Sequence, residues 1–93
     1  MNSVTVKHLE AVCARINTLT GSPLESYTMK DGQYRSNVGN YHLSGAYGGY
    51  ALHRMDNESG GVRDVFGCGH QPKRELANRM HAFISGLEAS KAA

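Results

Sequence analysis

Cys68-Gly69-His70 sets a thiol and an imidazole two positions apart, and His42 and His53 add two more imidazoles elsewhere in the chain. Together these four side chains carry the atoms needed to hold a metal ion. Their spacing is not that of a zinc centre, which pairs Cys-x2-4-Cys with a second such pair. A Cys–His nucleophile is the other chemistry open to Cys68 and His70. It needs a third residue to orient the imidazole and backbone amides to form an oxyanion hole. The helix expected after His70 could donate such amides, but no orienting residue stands at a readable position. Gly60-Gly61 and Gly67-Cys68-Gly69 lack the lysine and serine, or the flanking parallel strand, of a phosphate-cradling loop. Asp56, Glu58 and Asp64 gather near one turn, where carboxylates more often keep a loop soluble than bind a cation. The expectation is a chain that is not an enzyme and takes no metal and no cofactor.

Lys73 and Arg74 are placed against the local field. They fall in the first turn of the last expected helix, where the macrodipole disfavours a cation by about a few tenths of a kcal/mol each. Glu75 offsets part of that cost. Cations beside free helix N–H groups can form an anion site, and a nucleic-acid phosphate would suit it. The plainer alternative is pairing with nearby carboxylates. Lys73, Arg74 and Arg79 are therefore the candidate nucleic-acid contacts. Tyr47, in the Gly-rich stretch Gly45 to Tyr50, could stack on a base, anchor a protein partner, or fold back over its own hairpin.

The elements that must position these groups follow from periodicity. Leu9, Val12, Ile16 and Leu19 recur at helical spacing, with Val6 and Cys13 widening the stripe, so a helix is expected from about Val4 to Leu19. Ser3 or Thr5 can cap it, and Gly21 with Ser22-Pro23 ends it. From Glu25 to Gly67 the period changes to two. Asp31-Gly32 signals a hairpin between strands near Tyr27–Met29 and Tyr34–Ser36. Longer strands follow at Asn40–Ser44 and Gly49–Met55, then Val62–Phe66 after the turn Asn57 to Gly61. Loops this short make an antiparallel meander. Pro72 opens a second helix to about Leu87, with Leu76, Met80, Phe83, Ile84 and Leu87 on one face, and the Glu88–Ala93 tail is expected to fray. The fold class is α+β: helix, a three- or four-stranded antiparallel meander, helix, with both helices on one sheet face. The whole chain, 1–93, reads as one domain with an ordered core of about 4–88.

If the helices cover one face, strand alternation sorts the other. Tyr41, Leu43, Tyr50 and Leu52 go to the core. His42, Ser44, Ala51, His53 and Met55 go to the free face. It is either an ordinary solvated sheet face or a docking surface, for a protein partner or for a second copy of the chain across a two-fold axis. His42, Ser44, Tyr47, His53 and Met55 are the candidate partner-binding residues.

The chain of 93 residues is 40% hydrophobic and 19% charged, a globular composition. A net charge of +2 permits a local basic patch but is far from the balance of a dedicated duplex binder. Cys13 and Cys68 read as free thiols of a reducing compartment. No secretory pattern opens the chain and no apolar run reaches membrane-spanning length, so the cytoplasm is the expected location.

The stretch Asn37-Val38-Gly39-Asn40-Tyr41-His42-Leu43-Ser44-Gly45-Ala46-Tyr47-Gly48-Gly49-Tyr50, with Pro72-Lys73-Arg74-Glu75-Leu76-Ala77, resembles small uncharacterised proteins of tailed bacteriophages and prophages. That likeness covers nearly the whole chain and implies a phage or prophage origin and a bacterial host. In layout, helix, antiparallel strands and Gly67-x-Gly69 before a basic helix start are similar to the double-stranded RNA-binding domain. In that family lysines at the second helix start grip phosphates, and Lys73 and Arg74 match them. Gln71-Pro72 departs from the family's serine and lysine there, no Gly-Pro-x-His loop joins the first strands, and Glu25–Ser36 is an added segment. The expectation is thus a phage-derived accessory protein that acts by binding, as a homodimer or on a protein partner. Nucleic-acid binding through the basic helix start and the Tyr-Gly hairpin loop is the alternative.

Overall fold

The computed structural model describes residues 3–92, so Met1, Asn2 and Ala93, the ends of the expected domain, lie outside the described residues. The chain forms α1 (Val6–Thr20), β1 (Tyr27–Lys30), β2 (Gln33–Ser36), β3 (Tyr41–Ala46), β4 (Gly49–Met55), β5 (Val62–Asp64) and α2 (Lys73–Ala92). This is the expected α+β order with antiparallel pairing throughout.

Thr5 caps α1: its backbone is extended and its hydroxyl accepts a hydrogen bond from the His8 N–H at 3.1 Å. Gly21 closes the helix in the left-handed region at φ +69°, a conformation that costs a glycine little. The second helix runs further than its periodicity indicates, through Gly86 to Ala92. Leu87 packs against the core, and Glu88 pairs with Arg15 of α1 at 3.3 Å. His8 meets His81 one heptad before Arg15 meets Glu88 on both helices, so α1 and α2 lie side by side and parallel.

The five strands divide into two sheets. β3, β4 and β5 form a three-stranded meander in that order, while β1 and β2 pair only with each other. The helices cover one face of the meander, α1 over β3 and α2 over β4. Leu9, Ile16, Leu52, Leu76 and Met80 are fully buried between them, each worth about 1.5–3 kcal/mol of burial. Tyr41, Leu43, Tyr50, Phe66 and Phe83 pack around this cluster, as the alternation requires. Arg54, on the same face as its cross-strand partner Tyr41, lays its guanidinium over that ring at 5.6 Å.

Both short hairpins use the same turn chemistry. Asp31-Gly32 (φ +53° and +77°) and Tyr47-Gly48 (φ +54° and +74°) each place two successive residues in the left-handed region. That is the two-residue turn whose twist suits an antiparallel pair. It carries β3 to Ala46, two residues past the end expected from the sequence.

Candidate functional site

The sheet face turned away from the helices is assembled by the loop after β5. Asp64 accepts hydrogen bonds from the N–H groups of Gly67 (3.2 Å) and Gly69 (2.8 Å), folding the loop back on itself. Gln71 then exchanges two backbone hydrogen bonds of 2.8 Å with Tyr50, acting as one further rung beside β4. Gln71 shares its face with Tyr50, so its neighbour His70 is delivered to the opposite face. There His70 Nε2 lies 3.0 Å from the Ser44 hydroxyl.

The result is a row of four rings in edge-on contact. Tyr47 and His70 have centroids 5.8 Å apart, His70 and His53 6.0 Å, and His53 and His42 5.9 Å. His42 and His53 are cross-strand partners, which fixes their contact. Nδ1 of His42 is 3.3 Å from the Asn40 side-chain oxygen. Burial, reinforced by the charge of His53, holds the His42 imidazole below its ordinary pKa of 6.5. Asn40 is itself fully buried, donating to the Pro23 carbonyl (2.7 Å) and accepting from the Ser26 hydroxyl (2.9 Å).

Four of the five candidate partner-binding residues, His42, Ser44, Tyr47 and His53, are thus gathered. The fifth is not available. Met55 is 1% exposed, as is Ala51. The expectation assumed that everything opposite the helices faces water, but Ala51 is buried beside its cross-strand partner Ser44, where the loop after β5 brings His70. At the other end, the chain entering and leaving the β1–β2 hairpin is bound to Asn40 and to Glu58, whose carbonyl accepts from the Ser36 N–H at 3.4 Å. Met55 is the cross-strand neighbour of Asn40 at that closed end.

Cys68 is half-buried, and among the described residues no hydrogen bond joins its thiol to His70, whose ring is committed to Ser44. Cys13 is buried, donates to the Tyr41 carbonyl at 3.2 Å, and has its pKa pushed up to about 11 by burial and then by Glu10. The acidic residues near the β4–β5 turn are spent on structure: Asp56 pairs with Arg63, Glu58 with Arg35, and Asp64 shapes the loop. Among the described residues no group of three or more His, Cys, Asp or Glu side chains is placed to hold a metal ion. Among the described residues no helix is long and apolar enough to cross a membrane.

Lys73, Arg74 and Arg79 are all exposed on α2. Arg74 is engaged within the chain. Lys73 borders a hollow of about 440 Å³ against the β3–β4 turn, with Gly45, Gly48 and Gly49 on the other side. The basic helix start and the Tyr-Gly loop are therefore neighbours in space.

A further surface was not singled out by the spacing of polar residues. The β1–β2 hairpin exposes every position except Ser36. Tyr27, Met29 and Tyr34 are 53%, 57% and 71% exposed, and the Met29–Tyr34 pairing puts all three on one face. Tyr27 and Tyr34 flank an apolar hollow there. The alternation of Tyr27 and Met29 with Thr28 and Lys30 carries this signal in the sequence, because it describes a strand with one face to bury. Comparison with family models, with curated proteins and with solved structures finds no match to this chain.

Proposed function

We propose that this protein is a binding module that works by associating with itself, through the apolar face of the β1–β2 hairpin. One observation carries the reading: a two-stranded hairpin, a structure of marginal stability alone in water, presents Tyr27, Met29 and Tyr34 to solvent, and among the described residues no third strand pairs with it. Two of the three are tyrosines, which supply contact area at low entropic cost and recur at the centres of interfaces. Sedimentation velocity at two protein concentrations tests it. The wild-type chain should shift from monomer to dimer as concentration rises, and Met29→Lys should remain monomeric with unchanged circular dichroism. A wild-type chain that stays monomeric at high concentration removes the reading.

A second reading has its own support. Lys73 and the Tyr47-Gly48 turn border one hollow, so a nucleic-acid phosphate near the start of α2 would bring a base within reach of Tyr47. On that reading, replacing both Lys73 and Arg74 with Ala weakens binding equally across sequences and flattens its salt dependence. A gel-shift titration at two salt concentrations decides it, and absence of binding to duplex and single strand at low salt ends it.

A further inference from the structure

β3 is the outer strand of the meander, and among the described residues its far edge has no strand beside it. The residues whose backbone groups face that edge can be identified. Leu52 and Tyr50 direct theirs to Val65 and Gln71 on the β5 side, so their partners Leu43 and Gly45 direct theirs outward. So does Tyr41, where the buried Asn17 side chain takes the place of a strand: it accepts from the Tyr41 N–H at 2.8 Å and donates to the Tyr41 carbonyl at 2.9 Å. The cap ends there. At Leu43 and Gly45 the edge opens into a hollow of about 390 Å³, walled by α1 at Val6 and Ala14 and by Leu24, with Glu10 also lining it. An open edge flanked by apolar walls is the geometry that accepts an added strand.

The chain also contains a segment with the opposite deficiency. Among the described residues the β1–β2 hairpin has no strand beside either outer edge, its one edge contact being the Ser36–Glu58 hydrogen bond at the root, and it exposes Tyr27, Met29 and Tyr34 on one face. We infer that the β3 edge of each copy receives the β1–β2 hairpin of a second copy, reciprocally. This rests on the self-association proposed above and names where the hairpin docks. Added at β3, the hairpin extends the three-stranded sheet to five strands, bonds the backbone at Leu43 and Gly45, and turns Tyr27, Met29 and Tyr34 towards α1. Lys30, near the hairpin tip, brings a positive charge to a hollow that holds Glu10. The exchange closes on itself, because Ser26 at the root of each hairpin lines that same copy's hollow, so one docked hairpin brings the second pair into register. The exposed parts of the three apolar side chains amount to roughly 350 Å² per hairpin, so two reciprocal junctions cover roughly 700 Å² of hairpin surface before the receiving edges are counted.

The test uses Ala14→Arg, which fills the hollow from an exposed helix position with a good helix former, and Met29→Lys, which spoils the hairpin face. Each variant, with its thermal melting followed by circular dichroism, is examined alone and mixed with the other by sedimentation. Should Ala14→Arg fail to fold, Glu10→Lys on the same wall takes its place. Each variant alone should dimerise about tenfold or more weakly than wild type. Their mixture should recover heterodimer, because the intact hairpin of one meets the intact hollow of the other. Ala14→Arg dimerising like wild type while Met29→Lys does not would overturn the docking site and leave self-association standing, with hairpins meeting face to face. A mixture that stays monomeric would also overturn the reciprocal exchange. A monomeric wild type would remove the self-association itself.

Discussion

The two tight hairpins of this protein are built alike and end differently. Tyr47-Gly48 and Asp31-Gly32 adopt nearly the same pair of left-handed conformations, and both join strands in strict antiparallel register. Yet β4 buries Ala51, Leu52 and Met55, while β1 buries nothing. Local turn chemistry therefore makes a hairpin but does not decide whether it joins a core. That depends on what else reaches it. The β3–β4 hairpin receives two helices on one face and the His70 loop on the other. The β1–β2 hairpin is attached only at its root, through Asn37, Ser26 and Glu58. The unfinished hairpin is accordingly where a partner has most to add.

The contrast should be plainest in truncation. Leu76→Ala, in the core beneath the helices, should cost about 2–5 kcal/mol in urea unfolding, whereas Tyr34→Ala should stay within about 0.5 kcal/mol at concentrations where the chain is monomeric. A Tyr34→Ala cost near that of Leu76→Ala would mean the hairpin shares the core after all. Asn17→Leu comes next. It keeps the volume on α1 but removes both Asn17 hydrogen bonds to the Tyr41 backbone, leaving the N–H unpartnered and the carbonyl with only the Cys13 thiol, for a loss of about 1–3 kcal/mol. Because that change uncaps the β3 edge, it should also raise the tendency to associate, visible as a larger sedimentation coefficient.

Alanine at the two turn glycines sharpens the comparison. Gly32 and Gly48 sit at φ +77° and +74° with open space around the missing Cβ, so each change costs backbone strain alone, about 1–2 kcal/mol. At Gly48 the strain should register in global stability. At Gly32 much of it should be relieved by local opening, seen as faster hydrogen exchange in β1 and β2 with a smaller shift in melting temperature. The smallest effect expected is that of pH. His42 has a lowered pKa in the folded state, so below about pH 6.5 the unfolded chain binds the proton and the folded chain resists it. Stability should therefore fall as pH drops from 7.5 to 5.5. His42→Gln should flatten the profile, and an unchanged slope would place the acid sensitivity elsewhere.

Much of the fold was legible. Apolar residues at helical spacing marked both helices and their buried faces, and period-two alternation assigned Tyr41, Leu43, Tyr50 and Leu52 to the helix-covered side. Asp31-Gly32 announced its turn because few residues tolerate successive left-handed conformations. These are properties of neighbours along the chain, set by sterics and by which face a side chain must take. The site was half legible for the same reason. Alternation put His42, Ser44 and His53 on one face, but could not show that Asp64 and Gln71 would fold the loop to deliver His70 to Ser44, or that Ala51 and Met55 on that face would be buried. Nor could it show that Asn17 caps only the first rung of β3, leaving the edge open at Leu43 and Gly45. Those outcomes depend in part on hydrogen bonds between residues 20 or more positions apart, such as Gln71 with Tyr50 and Asn17 with Tyr41. Periodicity names the face a residue takes within its own element, and only packing between elements decides whether that face meets protein or water.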